Sequence, residues 1–533
     1  MSPDTASLAA SRTDPLYAAL EARILDRDQK GASEIYYKLA KEGRPLPEML
    51  REAVRIHAPY THVPYHERID DGYVNFVNND HCLLSARTTL HLSKMLPGAA
   101  SGLPMAQTIW YIPTGLDIWN QKIGKAPGHY SRGMQVPDGP PPAPIVHWPD
   151  QEPLALQGPL KERLGQWATL VHRGQVAEAY RVFLGLMAHP AERRTALSEL
   201  VFAGLIDVQD RSFQNRSYTT GHKSFRARAT VELGEAIGWE NAHDVLYAGA
   251  LDIAVGPRWY SLYEVACNAV TVYLEGQSLH AIPYGGTTEQ ERALLRNKTP
   301  LNKLESDALI EAVLRQPEPG YLLKVTELLK AGKDPRSILD ALQIGAAEVV
   351  LETHGELNFS LPQHCYEYLN TLGWFWDTFD HPQRIKLLYL AAAYLNQNAF
   401  HQKLIGDLLP PRIEMPANAA GFDAERLTAG VEGATLALDA PKAVGWTKAY
   451  LESGHDRASL VRALALAATR LGNDPHNQEI ALCMLEDYAR NRSPDRDRLL
   501  LAAAQHTARH RKYGDPLDCS RRFGKALGLP ALA

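Results

Sequence analysis

From Leu160 onward the apolar positions recur every three to four residues, and strict alternation of apolar and polar residues is absent. That period predicts amphipathic helices of about 12 to 18 residues, joined by brief polar or proline turns as in helical-hairpin arrays. Upstream, Asp14-Pro15 reads as a helix start, and Leu16, Leu20, Ile24, Ile35 and Leu39 continue an apolar stripe to Lys41. A second helix is expected from Leu46 to His57, ending at Ala58-Pro59. An irregular stretch rich in histidine and aromatic residues follows, until Asn79 or Asp80 caps a helix opening near His81. Between Pro113 and Pro159 prolines dominate, yet Trp119, Tyr130 and Trp148 need surfaces to bury against, so an ordered strap is expected. The chain thus divides into residues 1–112, a strap at 113–159 and a helical repeat region at 160–533.

Within the last region the pattern repeats. ERRTALSELVFAGL from Glu192, DPRSILDALQIGAAEVV from Asp334 and HDRASLVRALALAATRL from His455 share an acid/arginine start and a helix rich in small residues. A loop follows each, and then a histidine opening the next helix: His222 after TTG, His364 after LPQ, His476 after DP. The same interval separates Leu200 from His222 and Leu342 from His364, while the third loop is shorter. The expected fold is all-α: a helical-hairpin repeat array, either an α/α solenoid or a closed toroid, with an irregular N-terminal section and a Pro-rich strap.

Composition removes several function classes. The net charge of -5 comes with no lysine/arginine block, so no nucleic-acid partner is expected. No apolar run is long enough to span a bilayer and no secretory leader is evident, which points to a cytoplasmic chain. The five cysteines are scattered without a CxxC pair, against a disulfide framework, an iron–sulfur cluster or a zinc ribbon. Without a G-x-G-x-x-G turn, a Walker loop or a G-x-S-x-G elbow, no nucleotide cofactor is expected.

The histidines carry the candidate chemistry. If His222, His364 and His476 hold equivalent places in a curved array they point to its axis, and three imidazoles suffice for iron, zinc or copper with an open position. The plainer reading is that each caps or buttresses its helix. Asp207 and Asp210 could orient His222 or complete a two-His-one-carboxylate set, although aspartates at such places commonly cap. His57, His62, His66 and His81 form a second group, but Pro64 denies His62 and His66 a common helical face. His506 and His510 do share a helix face, beside cationic residues that oppose a metal ion. Trp239, Trp259, Tyr260 and Trp374 are candidate walls for a flat aromatic substrate, against the commoner use of such side chains as core.

Gly221-His222, the Ile237-Gly238-Trp239-Glu240 joint, the LPQH start at His364 and the Asp474-Pro475-His476 start resemble helical domains of Rieske-associated bacterial proteins, themselves similar to questin-oxidase-like proteins. The resemblance covers Leu160 to the C-terminus. It implies an oxygenase-type oxidation of a hydrophobic or aromatic small molecule, with His222, His364 and His476 as site residues. No Rieske cysteine–histidine pairs occur, so a Rieske or ferredoxin electron-transfer partner would be a separate chain. Joined to the histidine pattern, this leads to a metal-dependent oxidation in a His-lined cavity, iron foremost among transition metals. The alternative is a non-catalytic binding or scaffold protein. Convergence separates the two: an enzyme gathers its histidines, and a scaffold scatters them.

Overall fold

The computed structural model describes residues 14–69, 72–77, 80–115, 152–208, 220–242, 249–250, 253–254, 260–278, 286–355, 360–472, 474–510, 512 and 514–532. Apart from one two-stranded antiparallel pair, the regular elements among the described residues are helical. Nine helices position the site: α1 (Leu46–Thr61), α2 (Asp80–Met95), α3 (Pro190–Ile206), α4 (His222–Ile237), α5 (Pro335–Glu352), α6 (Ser360–Thr378), α7 (Arg457–Arg470), α8 (His476–Arg490) and α9 (Asp497–Arg509). No helix among the described residues is long and apolar enough to cross a membrane.

The three repeat segments are the helices α3, α5 and α7, and each packs against the histidine-bearing helix that follows it, α4, α6 and α8. Each feature of their starts is shared by two of the three. Asp334 accepts a hydrogen bond from Arg336 N and Asp456 from Ala458 N, while Pro190 and Pro335 occupy the first helical turn, where a missing N–H costs nothing. The helix α2, opened by Asp80 and His81, is a fourth inner member. It packs on α4 and α8, α4 packs on α6, and α6 packs on α8, so the four histidine-bearing helices form a closed ring. α3, α5, α7 and α1 back this ring from outside.

Small residues set the spacing. A Cβ at Gly204 of α3 would lie 2.8 Å from Ser224 Cα and N and 2.9 Å from Lys223 C, all of them backbone. Only the absence of a side chain lets α3 lie against the first turn of α4, the turn that begins with His222. Gly204→Ala should therefore force the two helices apart, lowering the unfolding free energy by about 1–3 kcal/mol. A urea titration with an unchanged midpoint would show that the approach is not needed.

Two expectations about the N-terminal section are corrected. α1 runs through Pro59 to Thr61, because a proline near the end of a helix removes one backbone bond without breaking the turns before it. The stretch expected to be irregular holds an antiparallel pair, β1 (His62–Ile69) and β2 (Gly72–Val77), with Ile69 opposite Gly72 and His62 opposite Val77. The strap lies outside the described residues from 116 to 151. Its last part runs beside the helix Val176–Met187, where Leu154 N donates to Arg181 O.

Candidate metal centre

Each inner helix delivers one histidine at its N-terminal end. His81, His222 and His476 occupy the first turn of α2, α4 and α8, and His364 lies one turn into α6. All four are buried. Their rings follow one another around a circuit with centre-to-centre distances of 5.4 Å (His81–His222), 4.6 Å (His222–His364), 5.1 Å (His364–His476) and 4.3 Å (His476–His81). Four imidazoles bound to a single ion through nitrogen at about 2.0–2.1 Å would have neighbouring ring centres about 4.5–5.2 Å apart. Two of the observed separations, 4.6 and 5.1 Å, fall in that interval, and the other two, 4.3 and 5.4 Å, lie just outside it at either end. One ligand nitrogen from each of His81, His222 and His364 lies within 4.8 Å of the others, and His364 Nε2 is 3.2 Å from His476 Nε2.

The outer nitrogens are held by oxygen. His476 Nδ1 donates to Asp474 Oδ1 at 2.7 Å and His81 Nδ1 to Glu479 Oε2 at 2.8 Å, so both rings present the Nε2 lone pair inward. Ser85 Oγ donates to the other Glu479 oxygen at 3.1 Å, which fixes that carboxylate. Thr220 Oγ1 lies 3.0 Å from His222 Nδ1. Carboxylate–histidine pairs of this kind set the tautomer and raise the basicity of metal-binding imidazoles. His222 is held well below the ordinary imidazole range by burial, and further by the neighbouring His364, His81, Arg226 and His476, so it is neutral near pH 7. Neutral imidazole is the form that binds a metal.

Below the histidines the ring is filled by charge. Arg87 of α2 donates through Nη2 to Glu486 Oε1 of α8 at 2.6 Å and through Nε to Glu232 Oε2 of α4 at 2.5 Å. Arg228 of α4 donates to Glu486 Oε2 at 2.8 Å and to Asn370 Oδ1 of α6 at 2.5 Å. Every inner helix thus contributes to a polar layer that ties the four histidine-bearing ends together.

The remaining candidates are distributed elsewhere. Asp207, at the end of α3, pairs with Lys223, and the oxygen described beside His222 Nδ1 belongs to Thr220. Asp210 and Trp259 lie outside the described residues. His62 and His66 are on β1, and their side chains are outside the description as well. His57 turns its Nδ1 back to Ala53 O and Val54 O of its own helix. Trp374 lies under the Arg228 guanidinium at 5.0 Å, and Trp239 under that of Arg193 at 5.7 Å. Tyr260 lines a separate cavity of about 260 Å³ with Trp167, Phe202 and Tyr263. Sequence reading undervalued Asp474, Glu479 and the pair His506/His510. The available signals were the Asp-x-His spacing at 474–476, the His-x-x-Glu spacing at 476–479 and the shared helix face of the pair.

No family model matches the chain, and neither does any curated protein or solved structure. The reading of the site therefore rests on its geometry.

Proposed function

We propose that the four histidines hold a transition-metal ion, iron foremost, and that the protein oxidises a hydrophobic or aromatic small molecule at this centre. The observation that carries the metal reading is the circuit of buried rings, with the facing Nε2 atoms of His364 and His476 at 3.2 Å. That distance suits two nitrogens on one ion, and in the metal-free protein it suits a hydrogen bond with the proton on His364. Binding through that nitrogen then moves the His364 proton to Nδ1, a change of tautomer that releases no proton.

A donor set of neutral imidazoles without thiolate suits iron, copper, nickel and zinc, and the carboxylates of Asp474 and Glu479 offset the charge from the outer shell. A metal bound here supplies oxygen activation or Lewis acidity. The chain's own groups orient the rings, hold His222 neutral and, through burial, keep water away from the centre. Dioxygen is the oxidant in this reading, and a separate electron-transfer protein, of Rieske or ferredoxin type, is the reductant. The gathering of the histidines favours an enzyme over a scaffold.

The test is dioxygen consumption by the protein reconstituted with ferrous iron, supplied with a chemical reductant and a panel of hydroxylated polycyclic aromatics. Uptake that depends on one of these substrates and disappears in His364→Ala is expected. Substrate-independent uptake that His364→Ala leaves unchanged would sink the oxidation reading.

A further inference from the structure

We propose that Gln363 is a positioning residue for the centre: its side-chain amide holds two imidazoles, His506 at the His476 carbonyl and His510 beside the Asp474 that grips the His476 ring. This rests on the metal reading only for its effect on affinity, since the hydrogen-bond directions follow from the chain itself.

A backbone carbonyl can only accept a hydrogen bond. His506 Nε2 lies 2.9 Å from His476 O and therefore carries a proton. In a ring that donates through Nε2, Nδ1 is the acceptor of the neutral tautomer. Gln363 stands 3.1 Å from that Nδ1 and must turn its NH2 group toward it. The same Nε2 is 2.7 Å from His510 Nδ1, which is then also an acceptor. With Nδ1 accepting from the Gln363 amide, the His510 proton sits on Nε2. That nitrogen faces Asp474 Oδ2 at 3.3 Å. Asp474 in turn accepts from His476 Nδ1 at 2.7 Å and from His476 N at 3.0 Å.

One amide thus reaches His476 by a hydrogen-bonded branch through His506 to its carbonyl, and by the longer 3.3 Å contact of His510 with Asp474 to its ring. The opposite amide orientation would place the Nε2 lone pair of His506 against a carbonyl oxygen. The arrangement leaves Gln363 Oε1 buried with no hydrogen-bond partner among the described residues, a cost expected only where the direction of the NH2 group matters. Gln363 also immediately precedes His364, so the same residue couples α6 to the start of α8. The outcome is a His476 ring fixed in the tautomer that turns its Nε2 lone pair toward His364.

The experiment titrates the full-length, metal-free protein with Co2+, followed by its visible d–d bands, for wild type, Gln363→Glu and Gln363→Met. The first variant keeps the shape and loses the donor; the second keeps the volume. Both should bind Co2+ about 10–100-fold more weakly, as expected for loss of an outer partner, with shifted bands. Binding within twofold of wild type, with unchanged bands, would overturn the proposal. Should both variants fail to fold, the 15N spectrum of metal-free, histidine-labelled wild type decides, with His506 and His510 assigned through their single His→Gln variants. Nε2–H in both rings supports the proposal, and Nδ1–H in either overturns it. A wild type that takes up no Co2+ yet shows these tautomers would sink the metal reading and leave the Gln363 arrangement standing.

Discussion

Glu486→Ala is expected to lower the unfolding free energy by about 3–5 kcal/mol, because it strips a buried charge network of one of its two central carboxylates. Arg87 and Arg228 both donate to Glu486, and their side chains are 6% and 2% exposed. Without it, two guanidiniums would share Glu232 in a space that water does not reach. The same network makes the protein acid-sensitive. Although burial alone would raise them, the Arg228 and Arg87 charges hold Glu232 and Glu486 below the ordinary value of 4.5. Groups depressed on folding contribute stability that is complete above the unfolded value and lost as the pH falls toward the folded one. Wild type should lose stability progressively below about pH 4.5. Glu486→Ala should start lower and lose less. Chemical denaturation at pH 7 and at pH 4 checks both statements, and parallel curves for the two proteins would contradict them.

Removing a ring of the centre has the second large effect. His364→Ala takes away one of the two facing Nε2 atoms and opens a side of the circuit. Metal affinity should fall by more than the roughly 10–100-fold typical of losing an outer-shell partner, since a direct bond to the ion is gone. The fold should survive. The variant leaves Arg87, Arg228, Glu232 and Glu486 of the polar layer in place. Competition against a chelator, alongside a thermal melt, separates the two effects. Affinity and melting temperature falling together with the loss of helix would mean that His364 is a packing residue.

Much of this was legible in the sequence, and the reasons differ by residue. The helix period and the acid/arginine starts revealed three hairpins, because periodicity and capping are local properties. They also identified His222 and His476 as helix openers, whereas His364, expected to open its helix, lies one turn inside α6, which begins at Ser360. His81 was seen as a candidate but not as the fourth member, since the segment before α2 lacks the repeat pattern. Closure of the ring was not legible, as it depends on contacts between α2 and α8 at opposite ends of the chain. The same distance hid Glu479, which meets His81 from 398 residues away. Asp207 was weighed against its histidine neighbour and not against Lys223, one residue further on, whose ammonium is the stronger attraction for a buried carboxylate. The β1–β2 pair had a local signal in Asp70-Asp71-Gly72 between runs of aromatic and β-branched residues. Histidine content and Pro64 drew attention away from it.

The central claim is that four helix ends gather their histidines around one metal ion. Elemental analysis of the purified chain, after anaerobic reconstitution with ferrous iron and removal of unbound metal, tests it most directly, with His222→Ala as the comparison. The account predicts close to one equivalent of transition metal per wild-type chain and its loss in a His222→Ala protein that remains folded. Folded wild type that retains no metal, or a variant that retains as much as wild type, would contradict it.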